Sequence, residues 1–457
     1  MPERFDAIVI GTGQAAPALC ARLDKEGLKT ALIERKLLGG TCVNVGCIPT
    51  KTLVASARAV HMARRGAEYG FSTGKVEVDM PAVKGRKDGV VKQSSDGLGN
   101  WIAGMKNVTL VRGHARFSNS KEISMEGRTL QAGKIFINVG GRALVPDMPG
   151  IKDVPYFTNS TMMEIDFVPE HLLIVGGSYI GLEFAHMYRR FGSKVTVVEK
   201  APKLLPREDD DVAEEIRAVL EREGVEIRTE AECMALKRKG ERIAIDMECR
   251  AGEPIAEGSH LLMAVGRKAN TDDLGLEKTK IDLDERGYVR VDDECRTTEE
   301  GVWALGDCNG RGAFTHTSYN DYEIVAANLF DGERRRISDR IQAYALFIDP
   351  PLGRAGMSEA EARKSGRRLL AGKMPMTRVA RAREAGETQG FMKVVVDADS
   401  QELLGAALLG LNGDEIVHSL LDMMYARKPY TTIQRAVHIH PTVTELIPTL
   451  LGNLKPL

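Results

Sequence analysis

Residues 5–35 read FDAIVIGTGQAAPALCARLDKEGLKTALIER. An apolar strand over residues 7–10 runs into Gly11, Gly13 and Ala16, then a helix, then a second strand over residues 30–33 that leads to Glu34. Gly11 permits a tight turn, Gly13 lets backbone N–H groups approach a pyrophosphate, and Ala16 lets the helix pack close to the strand. Glu34, 23 residues after Gly11, is placed to accept hydrogen bonds from a ribose. A glycine fingerprint alone is weak. Strand, glycines, helix, strand and acid in register together define a dinucleotide cradle.

The same grammar returns at residues 171–200, HLLIVGGSYIGLEFAHMYRRFGSKVTVVEK. A strand over residues 172–175 leads into Gly176, Ser178 and Gly181, and the second strand ends on Glu199, again 23 residues after the first glycine. Ser178 stands where the middle glycine would be and narrows the approach for a phosphate without closing it. Two cradles imply two dinucleotides. In a third segment, residues 297–330, a short strand over 302–305 ends on Gly306-Asp307 ahead of a helical pattern. An aspartate there can receive cofactor hydroxyls or cap a helix. After about residue 340 the pattern changes to alternating strands, FMKVVVDAD and LLGAALLGL, followed by amphipathic helices. This tail reads as a sheet-plus-helix module that packs or dimerises.

The chain has 457 residues, enough for two to four domains. Lys plus Arg number 63 against 64 Asp plus Glu, which leaves no electrostatic footprint for nucleic acid or an anionic membrane. No apolar run is long enough to span a bilayer. The opening MPERFDAIVIGTG, with its acidic residues and short apolar run, reads as a strand and not as a signal peptide. Seven scattered cysteines in so long a chain point to a reducing compartment, the cytoplasm.

Two of those cysteines fall in GGTCVNVGCIPTK, residues 39–51. A structural disulfide, half of a zinc site, two unrelated thiols and a redox pair are the competing readings. In an ideal helix residues five apart lie about 7.5 Å apart along the axis, whereas bridged Cα atoms lie within about 6.8 Å. Cys42 and Cys47 can bridge only across a distorted turn, which Gly46 makes accessible. Pro49 suits the first turn of a following helix, so Cys47 sits near a helix N-terminus, where a thiolate is stabilised. A zinc site needs about four ligands, and no second close cysteine pair exists in the chain. A strained, reducible disulfide fits best.

GGTCVNVGCIPTK, the two fingerprints, the ALGD segment and the C-terminal HIHPTVTE together resemble the class I pyridine nucleotide-disulfide oxidoreductases, over essentially the whole chain. The implied fold is α/β, with two Rossmann-like dinucleotide-binding domains and a C-terminal α+β dimerisation domain. FAD-binding segments at 1–145 and 266–335 would flank an NAD(P)-binding domain at 146–265, with the dimerisation domain at 336–457. The resemblance implies FAD in the first cradle, held by Gly11, Gly13, Gln14, Ala15, Ala16 and Glu34. Gly40, Thr41, Cys42, Gly46, Cys47 and Lys51 would line the flavin, joined by Gly113, Ala115, Gly140, Asp307 and Thr315. NADH, with NADPH possible, would occupy the second cradle, formed by Gly176, Gly177, Ser178, Tyr179, Ile180, Gly181, Glu199 and Gly266. Cys47 is the implied thiolate against the flavin and Cys42 the interchange thiol that meets substrate. Lys51 and Glu183 match an ion pair at the flavin, Tyr179 the ring that shields the nicotinamide pocket. The resemblance also implies a homodimer.

In HPTVTE, His440 can serve as the base for the interchange thiol with Glu445 holding its imidazole. Thr442 and Glu445 equally spell a capping box for a helix over 444–451. The resemblance favours Glu445 as orienter and His440 of the partner subunit as acid-base, and leaves His438 structural. Residues 191–211, 346–366 and 378–397 look most like the branch of mercuric reductase and the reactive-chlorine-resistance flavoproteins. The pattern departs from mercuric reductase in three ways: it lacks paired cysteines near the C-terminus, lacks an N-terminal metal-binding domain, and has His440 in place of a tyrosine. The expected activity is NAD(P)H-dependent reduction of a small disulfide or related thiol-reactive oxidant. Reduction of mercuric or cupric ion is the alternative, and a redox sensor without turnover a third.

Overall fold

The computed structural model describes residues 1–248 and 253–457 and divides the chain into two units. The first comprises residues 1–52, 84–144 and 266–340. In its sheet, strands Val108–Arg112, Thr30–Glu34, Glu3–Ile10 and Arg128–Ile137 run parallel, and Val302–Ala304 adds in parallel beside Arg128–Ile137. Arg116–Asn119 and Glu122–Met125 extend it as an antiparallel meander. Alternate side chains feed two cores. Ile8, Ile10, Ile33 and Ile135 pack with Val289 and Val302, whereas Ala7, Val9, Leu32 and Phe136 pack with Leu19 and Leu23 of helix Ala15–Lys25. Covering on both faces explains the unbroken apolar runs, as in parallel sheets generally. The first strand is longer than its apolar stretch, because Glu3, Arg4 and Phe5 continue the ladder beside Leu130, Gln131 and Ala132.

The second unit comprises residues 53–83, 145–265 and 341–457. Strands Val225–Arg228, Lys194–Val198, His171–Val175 and His260–Met263 form a parallel sheet with helix Tyr179–Phe191 as the crossover of its glycine turn. A six-stranded antiparallel sheet is ordered Ala343–Leu346, Leu352–Gly356, Leu403–Leu409, Phe391–Asp397, Leu369–Pro375, Lys455–Pro456. Phe391–Asp397 is buried along its whole length. The expected half-exposed alternation is absent because both faces are covered: Phe391, Ala407 and Leu409 join the core of Leu172, Leu182 and Phe184, while Met392, Val394 and Leu408 join that of Leu420, Ile447 and Leu450. No helix among the described residues is long and apolar enough to cross a membrane.

Helix Tyr179–Phe191 also carries a buried ionic cluster. Arg190 donates to both oxygens of Glu223 at 2.8 and 2.7 Å and to Asp349 at 2.6 Å, and His186 lies 3.0 Å from Glu223. Burial pushes the Glu223 carboxyl up, but the Arg190 and His186 hydrogen bonds outweigh it and the net shift is downward. Arg190 is 6% exposed. Arg190→Met would remove a buried cation from Glu223, which keeps His186, and from Asp349, which keeps Arg58, so a loss of about 3 kcal/mol is expected, read as a lower urea unfolding midpoint. A midpoint within error of wild type would show the cluster to be energetically idle.

Candidate functional site

The first cradle is built by close approach. Gly11 sits at φ +94°, and a Cβ there would lie 2.4 Å from the Asn138 carbonyl oxygen. Asn138 donates through Nδ2 to the Gly13 carbonyl at 3.1 Å, so the end of strand Arg128–Ile137 fixes the turn from below. Gln14 precedes helix Ala15–Lys25 and donates to the Gly39 carbonyl at 3.2 Å, tying the turn to the cysteine segment. Gly40 packs on Gly13, where a Cβ would stand 3.1 Å from the Gly13 Cα. Glu34 ends its strand and accepts from the Thr12 amide and hydroxyl at 3.0 and 2.6 Å and from the Lys36 amide at 2.7 Å. Gly113 donates to the Glu34 carbonyl, Ala115 is buried behind it, and the Gly140 carbonyl accepts from Asn270 at 3.0 Å.

Asp307 lies in the 3₁₀ turn Gly306–Asn309, while the helix that follows starts at Thr315 behind Phe314. Helix capping is therefore not its role. Burial pushes its carboxyl up, opposed by Arg267, whose Nε lies 3.6 Å away. The turn is pinned by Asp321, which accepts from Gly306 N at 2.8 Å and Asn309 Nδ2 at 2.9 Å. A glycine turn with no room for a Cβ, a carboxylate at the end of the second strand and a second acid at the end of a parallel strand fit FAD.

The cysteine segment is two helices and not one. Gly40–Asn44 holds Cys42, and Cys47 is the first residue of Cys47–Arg64. Gly46, between them, is required by contact: a Cβ would lie 2.9 Å from the Thr41 carbonyl oxygen. Its place in the turn thus has a steric reason, different from the conformational freedom read from sequence. Both cysteines are free thiols, hydrogen-bonded to each other, and Cys47 Sγ lies 3.2 Å from Thr315 Oγ1. The Cys42 hydrogen bond draws the Cys47 thiol down to about 6 against the desolvation that raises it, with Thr315 and Lys51 assisting. Cys42 moves the opposite way, raised by the same hydrogen bond and by burial. One thiolate and one thiol result.

In the second cradle Gly176 sits at φ +117°, with a Cβ position 2.4 Å from the Ala264 carbonyl oxygen, and a Cβ on Gly181 would lie 2.0 Å from Gly176 O. Ser178 precedes helix Tyr179–Phe191 in extended backbone and leaves the turn open. Glu199 accepts from Gly177 N at 2.6 Å and Ala201 N at 2.7 Å. Ile180 follows Tyr179 in the first helical turn, and Glu183, 6% exposed, accepts from the Phe347 amide at 3.1 Å. Gly266 sits at φ +137°, its carbonyl accepting from Leu144 N. Tight glycine contacts and a strand-end carboxylate fit a nicotinamide dinucleotide.

His440 and Glu445 meet. The Glu445 oxygens lie 2.8 and 3.1 Å from His440 Nδ1, and Glu445 is 14% exposed on its side chain against 74% for His440. Thr442 Oγ1 accepts from the Glu445 amide at 3.2 Å, which is one half of a capping box, but the carboxylate is turned to the histidine. Arg381 donates twice to the Pro441 carbonyl beside it, at 3.2 and 2.9 Å. Asn138, Thr12, Arg267 and Arg381 escaped the sequence reading because each acts on a backbone group or one partner side chain and belongs to no spaced motif.

The chain belongs to the pyridine nucleotide-disulphide oxidoreductase family, matched over residues 5–321, with that family's dimerisation domain matched over residues 342–451. The family uses FAD and NAD(P)H. The probable pyridine nucleotide-disulfide oxidoreductase RclA of Escherichia coli is 35% identical over 99% of this chain and 100% of its own length. Dihydrolipoyl dehydrogenase of Thermus scotoductus is 33% identical over 97% and 96%, and a mercuric reductase of Staphylococcus aureus 28% over 91% and 76%. A solved structure described as the Cu(II) complex of the HOCl-induced flavoprotein disulfide reductase RclA from Escherichia coli aligns with TM-score 0.90 and 34% identity, over 98% of this chain and 100% of that one.

Proposed function

We propose that this protein is a cytoplasmic, homodimeric NADH-dependent flavoenzyme that reduces a small disulfide or related thiol-reactive oxidant through Cys42 and Cys47. The observation that carries the reading is the pair of free thiols hydrogen-bonded to each other, with Cys47 opening helix Cys47–Arg64 and its Sγ 3.2 Å from Thr315 Oγ1. Bound FAD supplies the two-electron carrier between the nicotinamide and the cysteines. Gly11, Gly13, Glu34 and Asp307 would hold it. Segments 1–145 and 266–335 form the FAD domain, 146–265 the NAD(P) domain and 336–457 the dimerisation domain.

In the reduced pair, Cys42 gives its proton to His440 of the partner subunit, whose imidazole Glu445 orients. The Cys42 thiolate attacks one sulfur of the substrate disulfide, and the departing thiolate takes the proton back. Cys47 then attacks Cys42, reforms the Cys42–Cys47 bond and releases the second substrate thiolate, which is protonated by solvent. Two electrons leave the pair and the substrate bond is cleaved. Reduction of cupric or mercuric ion is a second reading, supported by the Cu(II) complex of the relative's structure and by the mercuric reductase relatives. An anaerobically reduced enzyme offered disulfides and metal ions in turn separates the two.

Glu199 at the strand end repels a 2′-phosphate. Lys200 and Lys203 follow closely and could compensate; of the two, Lys203 is engaged by Asp210 at 2.5 Å and the Glu208 carbonyl at 2.7 Å. NADH is expected to exceed NADPH in kcat/KM by about tenfold or more, the weight of one unit charge pair near a surface. Steady-state kinetics with NADPH equal or superior would refute it.

A further inference from the structure

Tyr179 opens helix Tyr179–Phe191 directly after the glycine turn. Its ring meets Tyr344 edge-on, with centroids 5.4 Å apart and planes at 79°. Tyr344 lies in strand Ala343–Leu346, directly opposite Arg354 of the neighbouring strand. Both reach the same carboxylate. The Tyr344 hydroxyl donates to Glu208 Oε1 at 2.6 Å, and Arg354 Nε lies 3.7 Å from Glu208 Oε2. Glu208 is fully buried on its side chain, and its segment is tied to the cradle by the Leu205 amide on the Gly177 carbonyl at 3.0 Å. Tyr179 also donates to Glu208 Oε1, but at 3.4 Å. Burial and the Glu208 charge both push the Tyr344 hydroxyl up, so it stays a donor.

The asymmetry assigns different jobs to the two tyrosines. A charge-assisted bond at 2.6 Å holds Tyr344 firmly on Glu208, whereas Tyr179 reaches the same oxygen at 3.4 Å and is hydrogen-bonded to Tyr344 itself. We propose that Tyr344, anchored on Glu208, is a positioning residue for Tyr179: a fixed stop that returns the Tyr179 ring to its closed place. This rests on the reading of Tyr179 as the shield of the nicotinamide pocket. The Tyr344–Arg354 register delivers both partners to the buried carboxylate from one strand pair.

The test uses the FAD-loaded enzyme carrying Tyr344→Leu, Tyr344→Phe, Tyr179→Leu and the double leucine variant. The readouts are calorimetric affinity for NAD⁺, NADH-driven release of hydrogen peroxide without acceptor, and the thermal unfolding midpoint. Without the stop the ring no longer competes with the nicotinamide, so Tyr344→Leu should bind NAD⁺ about threefold more tightly and leak peroxide about threefold faster, as a shift in the closed population requires. Tyr344→Phe, which keeps the ring edge and loses the anchor, should fall between. The Tyr344→Leu effects should vanish in the Tyr179→Leu background, because they act through that ring. Undiminished effects there, or a Tyr344→Leu enzyme that only melts earlier with affinity and leakage unchanged, would overturn the positioning role while leaving the shield intact. If Tyr179→Leu alone changes neither affinity nor leakage, the shield reading falls and this one with it.

Discussion

Cys42→Ser enzyme is expected to show a broad long-wavelength absorbance without any reductant, and Cys47→Ser none under any condition. The reason is the split of the pair: with Cys42 gone, Cys47 is permanently unpaired and, at the helix N-terminus with Lys51 one turn away, remains a thiolate that donates charge to oxidised flavin. In the wild type the same band should follow two-electron reduction. A thiol drawn down to about 6 is ionised above that pH and protonated below it, so the band should be full at pH 8 and half lost near pH 6. In Cys42→Ser the midpoint should move upward, because the hydrogen bond that contributes most to the shift has been weakened. Both variants should bind FAD and lose turnover with disulfides by roughly 10³-fold or more, as removal of a covalent nucleophile does. A Cys42→Ser enzyme with full activity toward every wild-type substrate would remove the pair from the electron path and bring the sensor reading forward.

The second large effect separates disulfide chemistry from metal chemistry. His440→Ala should lower disulfide reduction by about 10²–10⁴-fold, the range for loss of a general acid–base. Reduction of a cupric ion should be nearly untouched, since no departing thiolate has to be protonated. Glu445→Gln, which keeps a hydrogen-bond acceptor for Nδ1 but removes the charge, should cost less. Glu445→Ala should add the loss of ring orientation. Equal losses for disulfide and metal substrates in His440→Ala would mean that the dyad serves the fold or cofactor binding and not proton transfer.

The glycine fingerprints were legible because they are backbone geometry written as spacing. Gly11, Gly176 and Gly181 stand where any Cβ would strike a carbonyl oxygen, and such a constraint leaves a fixed mark. Glu34 and Glu199 were legible for the same reason, since a strand's length sets where its end falls. Gly46 was singled out correctly but for another cause, a close approach that only the folded turn creates. Glu445 could not be decided from sequence, because the capping amide and the imidazole lie within reach of one side chain and only the three-dimensional loop chooses between them. Asn138, Arg381 and the Glu208–Tyr344–Arg354 group stayed hidden, since their partners lie far away in sequence. Strand Phe391–Asp397 misled in the opposite direction: its alternation is real, but it divides two interiors rather than an interior from water.

That division makes the strand pair Phe391–Asp397 and Leu403–Leu409 a party wall, with a room on each side. Phe391 and Leu409 furnish one and Met392 and Leu408 the other. The stretch matched as a dimerisation domain is therefore a module of descent without being a module of stability. Inheritance could shuffle it only together with a neighbour able to cover the wall, which gives a physical reason for the two to travel along the chain as one parcel.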